Sequence, residues 1–110
     1  MVPLFLDAGL LRHRVTIERN EVLPDAMGGG RANWVEVGET SVRLEPIRAE
    51  VEERLEQRVG VATHRVTLRA RAGLERGMAF RFGARRLLIR TVQDPDETGR
   101  YLVCRCEEEA

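Results

Sequence analysis

The sequence predicts a mainly β fold, a small β-barrel of about six or seven antiparallel strands with one short inserted helix or long loop. Several segments alternate between apolar and polar residues, which is typical of half-buried strands. Aromatic residues make up only 5% of the chain, so Val, Leu, Ile and Ala must form most of the core, and its β-branched members favour strands. With 110 residues, 43% of them hydrophobic, the chain is predicted to be a single domain over residues 1–110.

The N-terminal part predicts an arm, a strand and a loop. Residues 1–11 contain Pro3 and Gly9 among apolar residues, so we expect an N-terminal arm that docks on a neighbour or on its own barrel. Residues 12–19 alternate strictly and form the first predicted strand. Residues 23–30 end in three consecutive glycines and predict a loop.

The next apolar stretch predicts either two short strands, residues 33–37 and 40–47, or one strand interrupted at Gly38. Trp34 is expected to point into the core. Pro46 lacks a backbone N–H and is expected to end the pairing.

Residues 48–58 change the composition to strong helix formers. Val51, Leu55 and Val59 are spaced by four, so we expect a short helix with one narrow apolar stripe that packs on the barrel or on an adjacent subunit. With its flanks, this part of the chain forms a predicted insertion between strands, residues 46–62.

The C-terminal half returns to strand patterns. Residues 63–71 alternate, which predicts a strand whose outward face is strongly basic. The remaining strands are predicted over residues 78–82, 86–93 and 101–107, and the turn formers between them connect antiparallel neighbours.

The charge pattern leaves three roles open for the basic outward face of residues 63–71. The chain has 18 basic and 18 acidic residues and a net charge of zero, which removes the global basic excess of free nucleic-acid binders. All the basic residues are arginine, which suits bidentate contacts with carboxylates and phosphates. The face is therefore simply solvated, or pairs with acidic residues of segment 50–56 on a neighbouring subunit, or meets DNA phosphates.

The residue types needed for catalysis are not arranged as a site. The two histidines, His13 and His64, lie on predicted strands with no marked nucleophile. Cys104 and Cys106 point to the same face of one strand, which favours reduced core thiols over a metal pair. The acidic residues of 94–97 lack the full calcium-loop pattern. The sequence thus predicts no enzyme, no cofactor and no metal site, and, with no apolar run of bilayer length, a soluble protein made in the bacterial cytoplasm.

Several pieces, in order along most of the chain, resemble the phage head-tail joining, or head-closure, family. The pieces are Gly9-Leu10-Leu11-Arg12-His13-Arg14-Val15-Thr16-Ile17, Gly29-Gly30, Trp34, Leu44-Glu45-Pro46, Thr63-His64-Arg65-Val66-Thr67-Leu68-Arg69 and Asp94-Pro95-Asp96-Glu97-Thr98-Gly99-Arg100-Tyr101-Leu102. The family includes relatives in prophages and gene transfer agents.

The resemblance implies a structural stopper or head-tail adaptor at the neck of a virion or gene transfer agent particle. Its implied partners are further copies in a six- or twelve-fold ring, a portal-proximal adaptor ring, a tail terminator or tail tube protein, and packaged double-stranded DNA held without sequence specificity. The implied function is to close the DNA-filled head and to offer the docking surface for the tail.

Two sets of candidate site residues follow from the resemblance and the charge pattern. A ring contact between identical subunits is heterologous and needs two complementary surfaces on each copy. The channel-proximal or subunit-contact set is Arg48, Glu52, Arg54, Leu55 and Arg58, and the basic interface set is Arg65, Arg69 and Arg71.

Two other functions share the same small-barrel plan. One is a tail-completion or baseplate subunit. The other is a small-barrel nucleic-acid-binding module, favoured by the arginine-rich strands and distinguished by salt-sensitive binding of the isolated protein to DNA or RNA.

Overall fold

The barrel is closed by six antiparallel strands in the spatial order β1-β4-β5-β8-β7-β6. The structure, a computed structural model, describes the backbone of residues 10–54 and 57–109 and the side chains of residues 10–47 and 62–109. Its strands are β1 His13–Asn20, β2 Leu23–Pro24, β3 Gly30–Arg31, β4 Trp34–Arg54, β5 Gln57–Arg69, β6 Ala79–Phe82, β7 Arg85–Gln93 and β8 Tyr101–Glu108. The predicted mainly β barrel is therefore confirmed.

The core fills the barrel with aliphatic side chains from every barrel strand. The fully buried residues are those that the alternation places inward, and Phe80 is the largest of them. Around it pack Val15, Ile17, Val42, Val66, Leu68, Met78, Leu87, Ile89, Cys104 and Cys106. The two cysteines are free thiols, and burial raises the pKa of Cys104 to about 12 and also raises the pKa of Cys106, so both stay protonated at neutral pH.

A β-bulge in β4 reverses which residues face the core. Ile17 pairs with Gly38 and Glu18 pairs with Glu36, so Val37 is an extra residue opposite β1. One extra residue moves every following side chain to the other face of the strand. Trp34 consequently lies on the outer surface, where its ring stacks on the guanidinium of Arg86 at 4.7 Å, and the inward orientation expected for it is wrong.

The helix predicted over residues 48–58 is wrong, because β4 and β5 continue as a two-stranded ribbon. Pro46 pairs with His64 and is followed by a register irregularity, but pairing resumes and reaches Arg54 opposite Gln57. In the part of the ribbon that belongs to β4, which is rich in glutamate, pairing with β5 overrides the helix propensity. In the part that belongs to β5, the β-branched residues on either side of Gly60 favour the extended state. Residues 55–56, between the limbs, lie outside the described part.

The connection between β1 and β4 is a small hairpin and not the predicted loop. Leu23 pairs with Arg31 and Pro24 with Gly30 in a separate two-stranded sheet. The side chain of Asp25 holds its turn, because Oδ1 accepts the backbone N–H groups of Met27 at 2.9 Å and Gly29 at 3.0 Å.

The antiparallel order gives the barrel two different ends. One carries the ribbon, the C-terminal residues of β8 and the β6–β7 turn, where Gly83 has a φ of 57°, a conformation suited to the first position of a tight hairpin. The other carries the β2–β3 hairpin and the connections 70–78 and 94–100. Among the described residues, no helix is long and apolar enough to cross a membrane.

Candidate functional site

An ion-pair cluster covers the outer face of β1, β6 and β7. Glu18 is only 5% exposed, and its carboxylate accepts hydrogen bonds from Nε of Arg81 and Nε of Arg86, each at 3.0 Å. Arg86 also donates to Glu109 at 3.1 Å and stacks on Trp34. Charge-assisted bonds to the buried carboxylate fix both arginines, and Glu18 and Glu109 together balance their two charges.

Replacing Glu18 with glutamine tests how strongly this cluster holds the barrel. The amide keeps the shape but has one oxygen for two guanidinium donors, so we expect the free energy of unfolding to fall by about 1–3 kcal/mol. Glu39→Gln is the matched control, because its partner Arg14 lies at 3.4 Å in an exposed pair and the expected loss is below about 0.5 kcal/mol. Urea unfolding measures both, and equal losses would contradict the buried bridge.

A second ion pair lies at the ribbon end of the barrel. Arg85 binds Glu108 through two hydrogen bonds, at 2.7 and 3.0 Å, and its guanidinium lies 4.6 Å from the centre of the Phe82 ring. The hydrogen bond from Arg85 lowers the pKa of Glu108. His64 is 3.8 Å from Glu108, and its Nδ1 lies 2.9 Å from the Thr63 hydroxyl. The second histidine, His13, is exposed beside Phe82 at this same end.

These groups join neighbouring strands of the barrel. The Thr63 hydroxyl beside His64 accepts the backbone N–H of Glu108 at 2.8 Å and so links β5 to β8. Cys106 is the strand partner of His64, and burial raises the pKa of its thiol, which therefore stays protonated at neutral pH. Among the described residues, no three His, Cys, Asp or Glu side chains are grouped to hold a metal ion.

The arginines of the predicted basic face are placed at three different sites. Arg65 is half-buried on the outer face of β5, and Arg69 is exposed at the end of that strand. Arg71 lies beyond β5 and donates from Nη1 to the backbone carbonyl of Glu39 at 3.2 Å. Its guanidinium lies over Gly38, where an added Cβ would come within 2.8 Å of Nη2.

Arg65 belongs to an open groove across β4, β5 and β8. The groove has a volume of about 330 Å³ and is lined by Arg43, Glu45, Arg65, Thr67, Gln93, Pro95, Val103 and Arg105. Three guanidinium groups and a single carboxylate make its lining basic, and Arg43 lies 3.6 Å from that carboxylate. The order of the strands puts this groove on the opposite side of the barrel from Glu18.

The candidate channel residues fall on the ribbon. Arg48, Glu52 and Arg54 belong to the distal part of β4 and Arg58 to the start of β5. Their side chains and the whole of Leu55 lie outside the described residues. The backbone nevertheless brings Glu52 opposite Gly60 and Arg54 opposite Gln57, so these positions share one projecting element.

Two surface features escaped the sequence analysis. Glu18 follows the alternation of β1 as an outward polar residue. The arginines that bury it, Arg81 on β6 and Arg86 on β7, come next to it only because β1 pairs with β6. The β2–β3 hairpin presents Val22, Leu23 and Met27 to solvent, with Met27 92% exposed. Apolar residues within a glycine-rich turn could have signalled a contact surface, because such a turn needs none for its own folding.

Comparisons with known proteins agree with this architecture. A family model described as phage head completion protein matches residues 6–109. The chain is similar to a protein in the virion of a native gene transfer agent particle, with 26% identity, 89% of this chain and 94% of that chain covered, and a TM-score of 0.64. The solution structure of protein SF1141 from Shigella flexneri 2a shares the fold, with 21% identity, coverage of 96% and 98%, and a TM-score of 0.66.

No curated protein matches the chain. The family match nevertheless spans nearly all of it and confirms the resemblance to head-closure proteins that the sequence motifs carry. The chain belongs to the phage head completion protein family.

Proposed function

We propose that the protein is a structural subunit of the neck of a virion or gene transfer agent particle, where it forms a ring that closes the DNA-filled head and docks the tail. The family match over residues 6–109 carries this proposal. The similar protein in a gene transfer agent particle supports a place within such a particle. Retaining DNA in this way is a mechanical task, so the proposed role is not enzymatic.

The ribbon is the element best suited to reach the channel. Beyond Pro46 and His64, β4 and β5 are paired with each other, whereas the pairing of β1 with β4 ends at Val42 and that of β8 with β5 begins at His64. The distal limb of β4 therefore extends over roughly 20–25 Å, and no other strand of the described residues pairs with its second edge. An isolated two-stranded ribbon is marginal in water, so contacts with neighbouring subunits or tail proteins would stabilise it.

The candidate residues take distinct roles in this proposal. Arg48, Glu52, Arg54, Leu55 and Arg58 lie near the channel or contact a neighbouring subunit. Arg65, Arg69 and Arg71 belong to the contact surface of the barrel. The ring is six- or twelve-fold, its partners are a portal-proximal adaptor ring and a tail terminator or tail tube protein, and its contact with double-stranded DNA is independent of sequence.

Deleting the gene tests the proposed function. We expect DNA-filled heads that lose their DNA and tails that remain unattached, and complementation should restore complete particles. Electron microscopy and nuclease protection of packaged DNA measure the two effects. An Arg76→Ala chain, altered at an exposed loop position, is the control and should complement fully. Complete, tailed particles without the protein would reject the proposal, and stable heads with incomplete tails would indicate a tail-completion subunit instead.

A further inference from the structure

The tip of the β2–β3 hairpin is an ordered apolar knob. Met27 is 92% exposed at this tip, while the Asp25 carboxylate and the backbone bond from Asp25 N to Gly29 O, 2.9 Å long, hold the turn. Val22 is also 62% exposed at the base of the hairpin. A fixed turn that holds an apolar side chain in water is suited to insertion into a partner, because little conformational freedom is lost on binding.

A hole lined by five apolar residues, a glycine and two arginines lies at the same end of the barrel. This cavity of about 180 Å³ has core residues Ile17 and Met78 in its lining, together with Val37, Ala72 and Leu74. Ile17 and Met78 are buried, while Val37, the extra residue of the bulge, is partly exposed at 38%. The described residues thus leave the end of the core incompletely covered.

The knob and the hole match in size and charge. The four heavy atoms of a methionine side chain, at roughly 30 Å³ each, fit within the hole. Arg71, which lines the hole, carries a charge opposite to that of Asp25 beside the knob, whereas Arg19 is already paired with Glu21 at 2.6 Å. Because Met27 is almost fully exposed, it does not fill the hole of its own chain.

We infer that Met27 of one subunit inserts into the hole between Val37 and Leu74 of the next copy of this chain. Two different surfaces on one chain that complement each other produce the head-to-tail contact from which rings close. The inference rests on the proposed function, because a ring is what brings the copies side by side. It adds a subunit contact at the barrel end opposite the ribbon.

Mixed cysteine variants test the contact inside assembled particles. A Met27→Cys chain and an Ala72→Cys chain are co-expressed in cells that lack the native gene, and isolated particles are treated with a short thiol-specific bifunctional cross-linker. We expect a covalent dimer of the two variants on denaturing gels. Cys104 and Cys106 are fully buried and do not react in the folded chain.

In the matched control, the Ala72→Cys chain is exchanged for an Arg76→Cys chain. Arg76 lies in the same connection between β5 and β6 as Ala72 but does not line the hole. It should give no more dimer than either variant alone. Absence of the Met27–Ala72 dimer from particles that contain the chain, or cross-linking of Met27→Cys to another protein, would overturn the contact and leave the ring function intact. Particles that lack the chain would overturn the proposed function and the contact with it.

A charge placed on the knob gives an independent measurement. Met27→Arg should lower the yield of tailed particles by at least about tenfold, because it removes the apolar contact and brings a guanidinium group to the hole that Arg71 lines. Ala26→Arg adds the same charge to the adjacent exposed residue and should be close to the native yield. An unchanged yield for Met27→Arg would contradict the insertion.

Discussion

Shortening the ribbon is expected to give a protein that folds and enters the neck but does not retain DNA. In this variant, residues 48–62 are replaced by Asn-Gly, a pair that closes two-residue hairpins and here would join Ile47 to Thr63. The pairings of Val42 with Leu68 and of Pro46 with His64 remain, as does the bond from Glu108 N to the Thr63 hydroxyl, so the barrel keeps its closure. Under the proposed role of the ribbon, the loss of DNA should be all-or-none, because the shortened ribbon would not reach the channel.

Two measurements separate failure of closure from failure of folding. Urea unfolding of the purified variant should give a midpoint close to that of the native chain, and particle preparations should contain the variant but no nuclease-protected DNA. A second variant keeps the length of the ribbon and changes its candidate side chains to alanine, namely Arg48, Glu52, Arg54, Leu55 and Arg58. Protected DNA in particles built with the shortened ribbon would contradict the proposed role of this element.

Replacing Phe80 with alanine is expected to cost about 3–5 kcal/mol of the free energy of unfolding. Phe80 is fully buried, and its backbone pairs with Ile17 on one side and Leu87 on the other, so a cavity there is enclosed by three strands. Since domains of this size are stable by about 5–15 kcal/mol, the variant would lose a large part of its stability. Urea unfolding followed by Trp34 fluorescence or circular dichroism measures the loss.

Phe82→Ala is the matched control on the same strand. Phe82 is half-buried at the end of β6, under the guanidinium of Arg85, so the site can be filled by solvent and by movement of that side chain. We expect less than about half of the loss seen at Phe80. Equal losses would show that the core is not centred on Phe80.

The sequence predicted the barrel strands because each has one face toward the core. The alternation of residues 12–19 and 63–71 is a local property, and it places Val15, Val66 and their neighbours inward whatever the order of the strands. The free cysteines of β8 followed from the same rule. Family membership likewise followed from short motifs in a fixed order, which the family match confirms.

The sequence did not predict which residues meet across strands. Segment 48–58 has helix-forming residues, yet it is extended because residues 50–54 pair with residues 57–62. Trp34 is apolar, yet the single extra residue Val37 puts it outside the core. In both cases the pairing with another strand outweighs a local preference of a few tenths of a kcal/mol per residue.

The candidate surfaces depend still more on the tertiary structure. Glu18 meets Arg81 and Arg86 because β1 closes the barrel against β6, and the groove around Arg65 forms because β4 and β8 flank β5. The sequence by itself determined the strands, the inward residues and the family, because these depend on periodicity and motifs. Only the tertiary structure decided the ribbon, the buried carboxylate and the hole beside Val37, because each depends on which strands pair and in which register, and the pattern of a single strand does not contain that information.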